Sequence, residues 1–140
     1  MWGFESDRAD LLAAPGSGAT DTPENWGRHV LAFSRGRFAV TQENDQACTW
    51  VYGTYAVRGH RMVWDVVDGG GYGPEDAVNH PGEHFEYEWS RFKDTLEVTP
   101  TPAEVAASNF IALPWRRIGD DARRAPLSRR CPPPPPGLRF

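Results

Sequence analysis

Long hydrophobic runs are missing from this chain of 140 residues. No apolar stretch approaches the roughly 20 residues that a membrane-spanning helix needs. The first residues, Met1 to Glu5, also lack the basic and apolar regions of a signal peptide. The sequence therefore predicts no membrane partner and a cytoplasmic location.

A large charge of one sign is missing as well. The formal net charge is -4 at pH 7, so the protein has no global positive field that would attract phosphates. We therefore expect no nucleic-acid partner.

Cysteine is scarce, with Cys48 in a strand-like run and Cys131 near the C-terminus. The two residues match neither the spacing of a metal site nor a disulfide framework. Their number is compatible with a reducing compartment.

Chain breakers and aromatic residues, in contrast, are abundant. The 13 Pro and 14 Gly favour many short elements over a few long helices. The sequence also holds six Trp, four Tyr and seven Phe. Each large ring has to be packed or used in recognition, so we expect a small protein organised around its rings.

Apolar and polar residues alternate along successive short runs, which is the pattern of half-buried strands. In the first predicted hairpin, Arg35-Gly36 forms the turn, and Leu31 and Phe33 face Phe38 and Val40. Gly53 is expected to break or bulge a later run. The predicted strands are residues 2–5, 28–34, 37–43, 47–52, 55–57, 61–67, 84–92, 95–99 and 113–118.

The segments between and after these runs predict other structure. Residues 68–82 are too rich in glycine and proline for a regular element, and they predict a long loop at one mouth of the sheet. Residues 7–12 and 103–108 are short helical candidates. Residues 119–140 are rich in Arg and Pro, and we expect them to form a disordered tail.

About eight short antiparallel strands with one buried face either stack as a sandwich or close into a barrel, and closure removes the exposed edges. We therefore predict an all-β fold, an antiparallel up-and-down barrel with one or two short helices, over residues 1–118. A barrel of this size has an interior that side chains fill or line around one small ligand.

Three stretches resemble bacterial lipocalin-like, or calycin-like, barrel domains of the kind also attached to solute-binding proteins. They are the strand, turn and strand from Cys48 to Trp64 with its Gly-Thr-Tyr-x-Val-x-Gly element, the run from Tyr87 to Leu96, and the terminal Pro114-Trp-Arg-Arg-Ile. The order around glycine departs from the Gly-x-Trp of lipocalins proper, since Trp precedes Gly in Trp2-Gly3 and Trp26-Gly27. The resemblance implies enclosure of a ligand and supplies no catalytic residue.

An inward-facing set of rings is the main candidate site. If the barrel is hollow, these rings line a pocket for one small apolar or amphipathic molecule, and phenol and indole groups orient it. The alternative is a cofactor-free cyclase that folds a polyketide or polyene in the same pocket. A third interpretation is an interaction domain with a filled core. The candidate ligand-binding residues are Phe38, Trp50, Tyr52, Tyr55, Trp64, Phe85, Tyr87 and Trp89.

Other chemistry has less support in the sequence. His80 and His84 would need a helix to converge on a metal, and Pro81-Gly82 forbids one, so we expect solvated loop histidines, no metal and no cofactor. Glu86 and Glu88 alternate with the rings and are expected to lie outside in water. A homodimer is compatible with these features.

Overall fold

The computed structural model describes residues 1–6, 9, 23–72, 80–101, 114–119 and 127–140. These residues form a closed antiparallel barrel in which each strand pairs with its neighbours along the chain and the last strand pairs with the first. The prediction of an all-β up-and-down barrel is confirmed. The strands are β1 (Trp2–Ser6), β2 (Gly27–Ser34), β3 (Arg37–Glu43), β4 (Cys48–Arg58), β5 (Arg61–Tyr72), β6 (His84–Phe92), β7 (Thr95–Pro100) and β8 (Trp115–Arg117).

The two ends of the barrel differ in how the strands connect. At one end, the hairpin end, the turns span only residues 35–36, 59–60 and 93–94. Arg35 and Gly36 both have positive φ, 49° and 76°, as a two-residue turn matching the strand twist requires. At the other end, the loop end, the connections run over residues 7–26, 44–47, 73–83 and 101–114. The connections at the hairpin end are therefore the shorter ones.

The barrel interior is one hydrophobic core. Leu31 pairs with Val40 and Phe33 with Phe38, as the sequence predicts for the first hairpin. The closing strand β8 is short, but its Trp115 pairs with Leu96 of β7 and is 1% exposed. The buried members of the core are Leu31, Phe38, Val40, Val51, Met62, Trp64, Val66, Tyr87, Leu96, Val98 and Trp115.

Two adjoining strands are longer than predicted. The predicted runs 47–52 and 55–57 form the single strand β4, and its register with β5 shifts between Tyr52 and Gly53, which confirms the bulge at this glycine. Residues 68–72, predicted as the start of a loop, continue β5 because they pair with Cys48–Tyr52. A run of glycines shows no alternation of apolar and polar side chains in the sequence. Its backbone can still form the hydrogen bonds of a strand.

The C-terminal segment, residues 127–140, packs on the barrel, which corrects the prediction of a disordered tail for these residues. Cys131 forms a disulfide with Cys48 of β4, contrary to the sequence interpretation. Leu138 is 6% exposed and packs with Ala39 and Tyr52 on a second, outer core. Three apolar residues of this segment, Leu127, Leu138 and Phe140, supply the surface that packs on the barrel. The high arginine and proline content of the segment does not reveal them.

Short helical structure in the described residues consists of the 3-10 turns Pro23–Asn25 and Pro136–Leu138. The predicted helix at residues 103–108 lies outside the described residues, and so does the one at 7–12 apart from Ala9. No helix in the described ranges is long and apolar enough to cross a membrane.

Candidate functional site

A stack of rings occupies the barrel interior. Trp64 of β5 lies at its centre, with its ring centroid 4.6 Å from that of Phe38 and 4.7 Å from that of Tyr87. Phe33 adds an edge contact at 5.8 Å to Trp64 and another at 4.7 Å to Tyr55. These are the spacings of rings in contact, so Trp64 belongs to a cluster of rings.

Six of the eight predicted site residues lie in or against this interior core. Phe38, Trp64 and Tyr87 are among its buried members, and Tyr55, Phe85 and Trp89 pack against it with partial exposure. As predicted, Glu86 and Glu88 alternate with the rings of β6 on the outer face, where Glu88 is exposed. The structure thus brings most of the predicted ring set together.

Trp50 and Tyr52 lie on the outer wall, which corrects their prediction as pocket residues. Tyr52 pairs with Ala39, and both belong to the outer core under the C-terminal segment. The inward positions of this part of β4 are Thr49 and Val51 instead. Both faces of the strand are buried here, so alternation separates the faces without saying which one is the interior.

A polar row lies nearer the loop end of the same interior. His29, Gln42 and Thr49 pair successively across β2, β3 and β4, in line with inward-facing Leu31 and Val51 two residues along. Thr49 Oγ1 donates to Gln42 Oε1 at 3.2 Å, and Gln42 Nε2 donates to Pro23 O at 3.0 Å. Sequence analysis missed this row, although His29 alternates with Leu31 and Phe33 and so shares their face.

His29 is 1% exposed. Burial lowers its pKa to about 4, which outweighs the opposing contact of Nδ1 with Gly27 O at 3.2 Å. The imidazole is therefore neutral at pH 7 and presents one donor and one acceptor.

Glycines form the neighbouring part of the interior wall. Gly71 pairs with Thr49 and Gly69 with Val51, and directly paired residues share a face. The last residues of β5 therefore place no side chain in the interior beside the polar row. Beside the polar row, β5 therefore lines the interior with backbone, whereas nearer the hairpin end it contributes the ring of Trp64.

Two interior tryptophans carry buried indole N–H groups. Nε1 of Trp64 and Nε1 of Trp89 have no hydrogen-bond acceptor among the described residues. Leaving such a donor unsatisfied destabilises the fold by about 1–3 kcal/mol. Each is therefore a pre-placed donor that an acceptor atom entering the interior would satisfy.

The outer surface holds two smaller polar features. A cleft of about 300 Å³ is lined by His60, by Trp89, and by the cross-strand pairs Glu88–Thr99 and Ser90–Glu97. His84 Nδ1 lies 2.7 Å from Asp65 Oδ1, with both side chains exposed. In the part of the chain that the structure describes, no group of three or more His, Cys, Asp or Glu could hold a metal ion.

Comparison with known proteins adds no relative. No protein-family model, no curated protein and no solved structure matches this chain. The lipocalin-like resemblance accordingly stays a prediction from the sequence.

Proposed function

We propose that the protein binds one small, largely apolar molecule inside the barrel, entering from the loop end. The observation that carries this proposal is the buried N–H of Trp64, which lacks an acceptor among the described residues although it lies in the centre of the core. A ligand carbonyl or ether oxygen would satisfy it. The rest of the ligand would contact rings and aliphatic side chains, as in most small-molecule sites.

The loop end supports this entry side. The hairpin end has two-residue turns, and inward-facing Gly69 and Gly71 leave the interior near the loop end without side chains from that part of β5. Neutral His29 and the hydroxyl of Thr49 supply polar partners beside the glycines. Such a site selects a compact molecule with few polar atoms.

The test uses Prodan, a neutral apolar fluorophore with one carbonyl acceptor, titrated into the full chain. We expect saturable 1:1 binding with a blue-shifted emission. Trp64→Phe keeps a ring but deletes the donor, and should weaken binding by roughly 5- to 30-fold, the effect of one hydrogen bond of about 1–2 kcal/mol.

Trp50→Phe is the matched control, because Nε1 of Trp50 is also buried without an acceptor among the described residues but belongs to the outer core. It should leave Prodan binding unchanged. Absence of saturable binding, or equal losses in the two variants, would contradict the proposal. Native mass spectrometry of the purified chain then identifies any molecule that it retains.

The cyclase alternative would use the same interior. It would orient its substrate by hydrogen bonds from Tyr or Trp side chains, and Tyr52 does not serve there because its hydroxyl donates to Pro132 O at 2.5 Å on the outer wall. No observation in the structure favours the cyclase over binding.

A further inference from the structure

The outer wall of β3 and β4 carries an aromatic groove, formed by Ala39, Trp50 and Tyr52. The C-terminal segment lies along it, with Leu138 buried and Leu127 and Phe140 packed at its sides. Gly70 makes room for the Trp50 ring, since a Cβ there would lie 2.6 Å from that ring. The groove is therefore a shaped surface and not an incidental contact.

The occupant of the groove is a proline run. At Pro135 the backbone angles are φ -57° and ψ 156°, close to the polyproline II conformation. A polyproline II segment makes no internal hydrogen bonds, so its carbonyls are free for recognition. Tyr52 uses this property, because its hydroxyl donates to Pro132 O at 2.5 Å. Burial and the nearby Asp68 raise the pKa of Tyr52, which keeps the hydroxyl a donor.

A second donor in the groove is not used by this occupant. Trp50 lies two residues before Tyr52 on the same face of β4, and its Nε1 is buried without an acceptor among the described residues. The groove thus offers two ring donors along one strand, of which the chain's own segment engages Tyr52. A polyproline segment in a better register would satisfy both.

At one end of the groove, Glu43 and the carbonyl of Asn44 hold residues 128–130 by hydrogen bonds. Glu43 Oε2 accepts hydrogen bonds from Ser128 Oγ at 2.5 Å and from the backbone N–H of Arg129 at 2.9 Å. The guanidinium of Arg130 donates to the carbonyl of Asn44. This end therefore favours a segment with arginine ahead of its prolines.

We propose that this groove is a recognition surface for a proline-rich segment of another protein with arginine ahead of the prolines, and that residues 127–140 occupy it in cis as a competitor. Aromatic grooves with such donors are a recurring way to bind polyproline II segments. The Cys48–Cys131 disulfide tethers the competitor at a high effective concentration. An external segment has access when an external dithiol reduces this bond, which leaves the Cys48 and Cys131 thiols and converts the dithiol into a disulfide.

The test measures fluorescence anisotropy of a labelled peptide, Arg-Arg-Ser followed by ten prolines, with full-length chains. The native disulfide-bonded chain should show no saturable binding. Cys131→Ser removes the tether, and Cys131→Ser with Leu138→Asp also removes the buried anchor of the cis segment. Both should bind the peptide, and the double variant should bind at least about tenfold more tightly because competition in cis is weaker.

Trp50→Phe in the double variant should weaken peptide binding by roughly 5- to 30-fold through loss of one donor. Trp64→Phe is the matched control inside the barrel and should leave it unchanged. The proposal fails if the double variant, shown to be folded by circular dichroism, does not bind the peptide, or if both Trp variants lose equally. Dimerisation of Cys131→Ser in light scattering without peptide binding would instead assign the groove to a second copy of this chain.

Discussion

His29 links burial at one side chain to the pH dependence of the whole fold. Its pKa is lowered to about 4 in the folded chain against 6.5 for an ordinary histidine. Between these values the unfolded chain binds a proton that the folded chain does not. The stabilising contribution is therefore complete above pH 6.5 and is lost as the pH falls towards 4.

We expect the free energy of unfolding to fall by about 3 kcal/mol from this group between pH 7 and pH 4. Urea denaturation at successive pH values measures the loss. His29→Gln should abolish most of the change in this window, whatever its effect at pH 7, whereas exposed His60→Gln should retain it. An unchanged pH profile in His29→Gln would show that another group is responsible.

Glu43 adds a separate loss at lower pH. Partial burial would raise its pKa, but hydrogen bonds from Ser128, the Arg129 and Arg130 backbone and Arg28 outweigh this and lower it below 4.5. Its contribution is present above 4.5 and is lost as the pH falls through the folded value. The loss of this contribution therefore begins below pH 4.5, at the acidic end of the His29 window.

Gly53 is the tightest position in the barrel wall. A Cβ there would lie 2.0 Å from the backbone oxygen of Asp65 and 2.6 Å from the Phe38 ring. We expect Gly53→Ala to destabilise the fold by about 2–3 kcal/mol, as overpacking does. Gly137→Ala, with open space around the added atom, should be close to neutral in the same urea titration; equal midpoints for the two variants would contradict this view of the bulge.

At the residue scale, the sequence predicted which side chains share a face but not always which face is inside. Trp64, Tyr87 and Phe38 were placed correctly, and the alternation is clearest at Tyr87, which lies between Glu86 and Glu88. Trp50 and Tyr52 were misplaced because the C-terminal segment buries their face of β4 as well. Nothing in the sequence of β4 indicates this contact with a segment distant along the chain. His29 was missed because a polar residue at an inward position resembles a break in the pattern.

At the element scale, the C-terminal segment is held by few apolar side chains and one covalent bond. The disulfide spans a sequence separation of 83, and closing a loop of that length stabilises the fold by about 4.5 kcal/mol in the chain-entropy description. We expect Cys131→Ser to lower the melting temperature by roughly 15 °C. Differential scanning calorimetry measures the shift.

The control for this prediction is that the two cysteine substitutions do not add. Cys48→Ser and the double variant should melt at the same temperature as Cys131→Ser, because each removes the same bond. A much larger loss in Cys48→Ser than in Cys131→Ser would assign the effect to packing around β4 instead.

Strand ends were predicted well where apolar and polar side chains alternate. β2, β3, β6 and β7 lie within one residue of their predicted ends. β5 extends beyond its predicted end because its last residues, mostly glycines, pair with β4. Pairing between strands cannot be predicted from the sequence of one strand. The C-terminal segment was missed for the same reason, since its contacts are all distant in sequence.

At the scale of the whole molecule, closure of the barrel was predicted from the number of strands. A sheet of eight half-buried strands has two unpaired edges unless its first and last strands pair. The number of strands does not predict the ligand, because ligand binding depends on a few atoms at one end of the barrel. The disulfide also bears on the predicted cytoplasmic location. Such bonds persist in oxidising compartments and are rare in the cytosol, so it argues for an oxidising one.

The same bond sets how the molecule would carry a mechanical load. A pull on its two termini passes from Cys131 directly to Cys48, the first residue of β4, so tension runs through β1 to β3 and bypasses β4 to β8. Those five strands would stay slack while the first three peel away. Chemical reduction would add their contour length, on the order of 280 Å at about 3.4 Å per residue, to the reach of the extended chain.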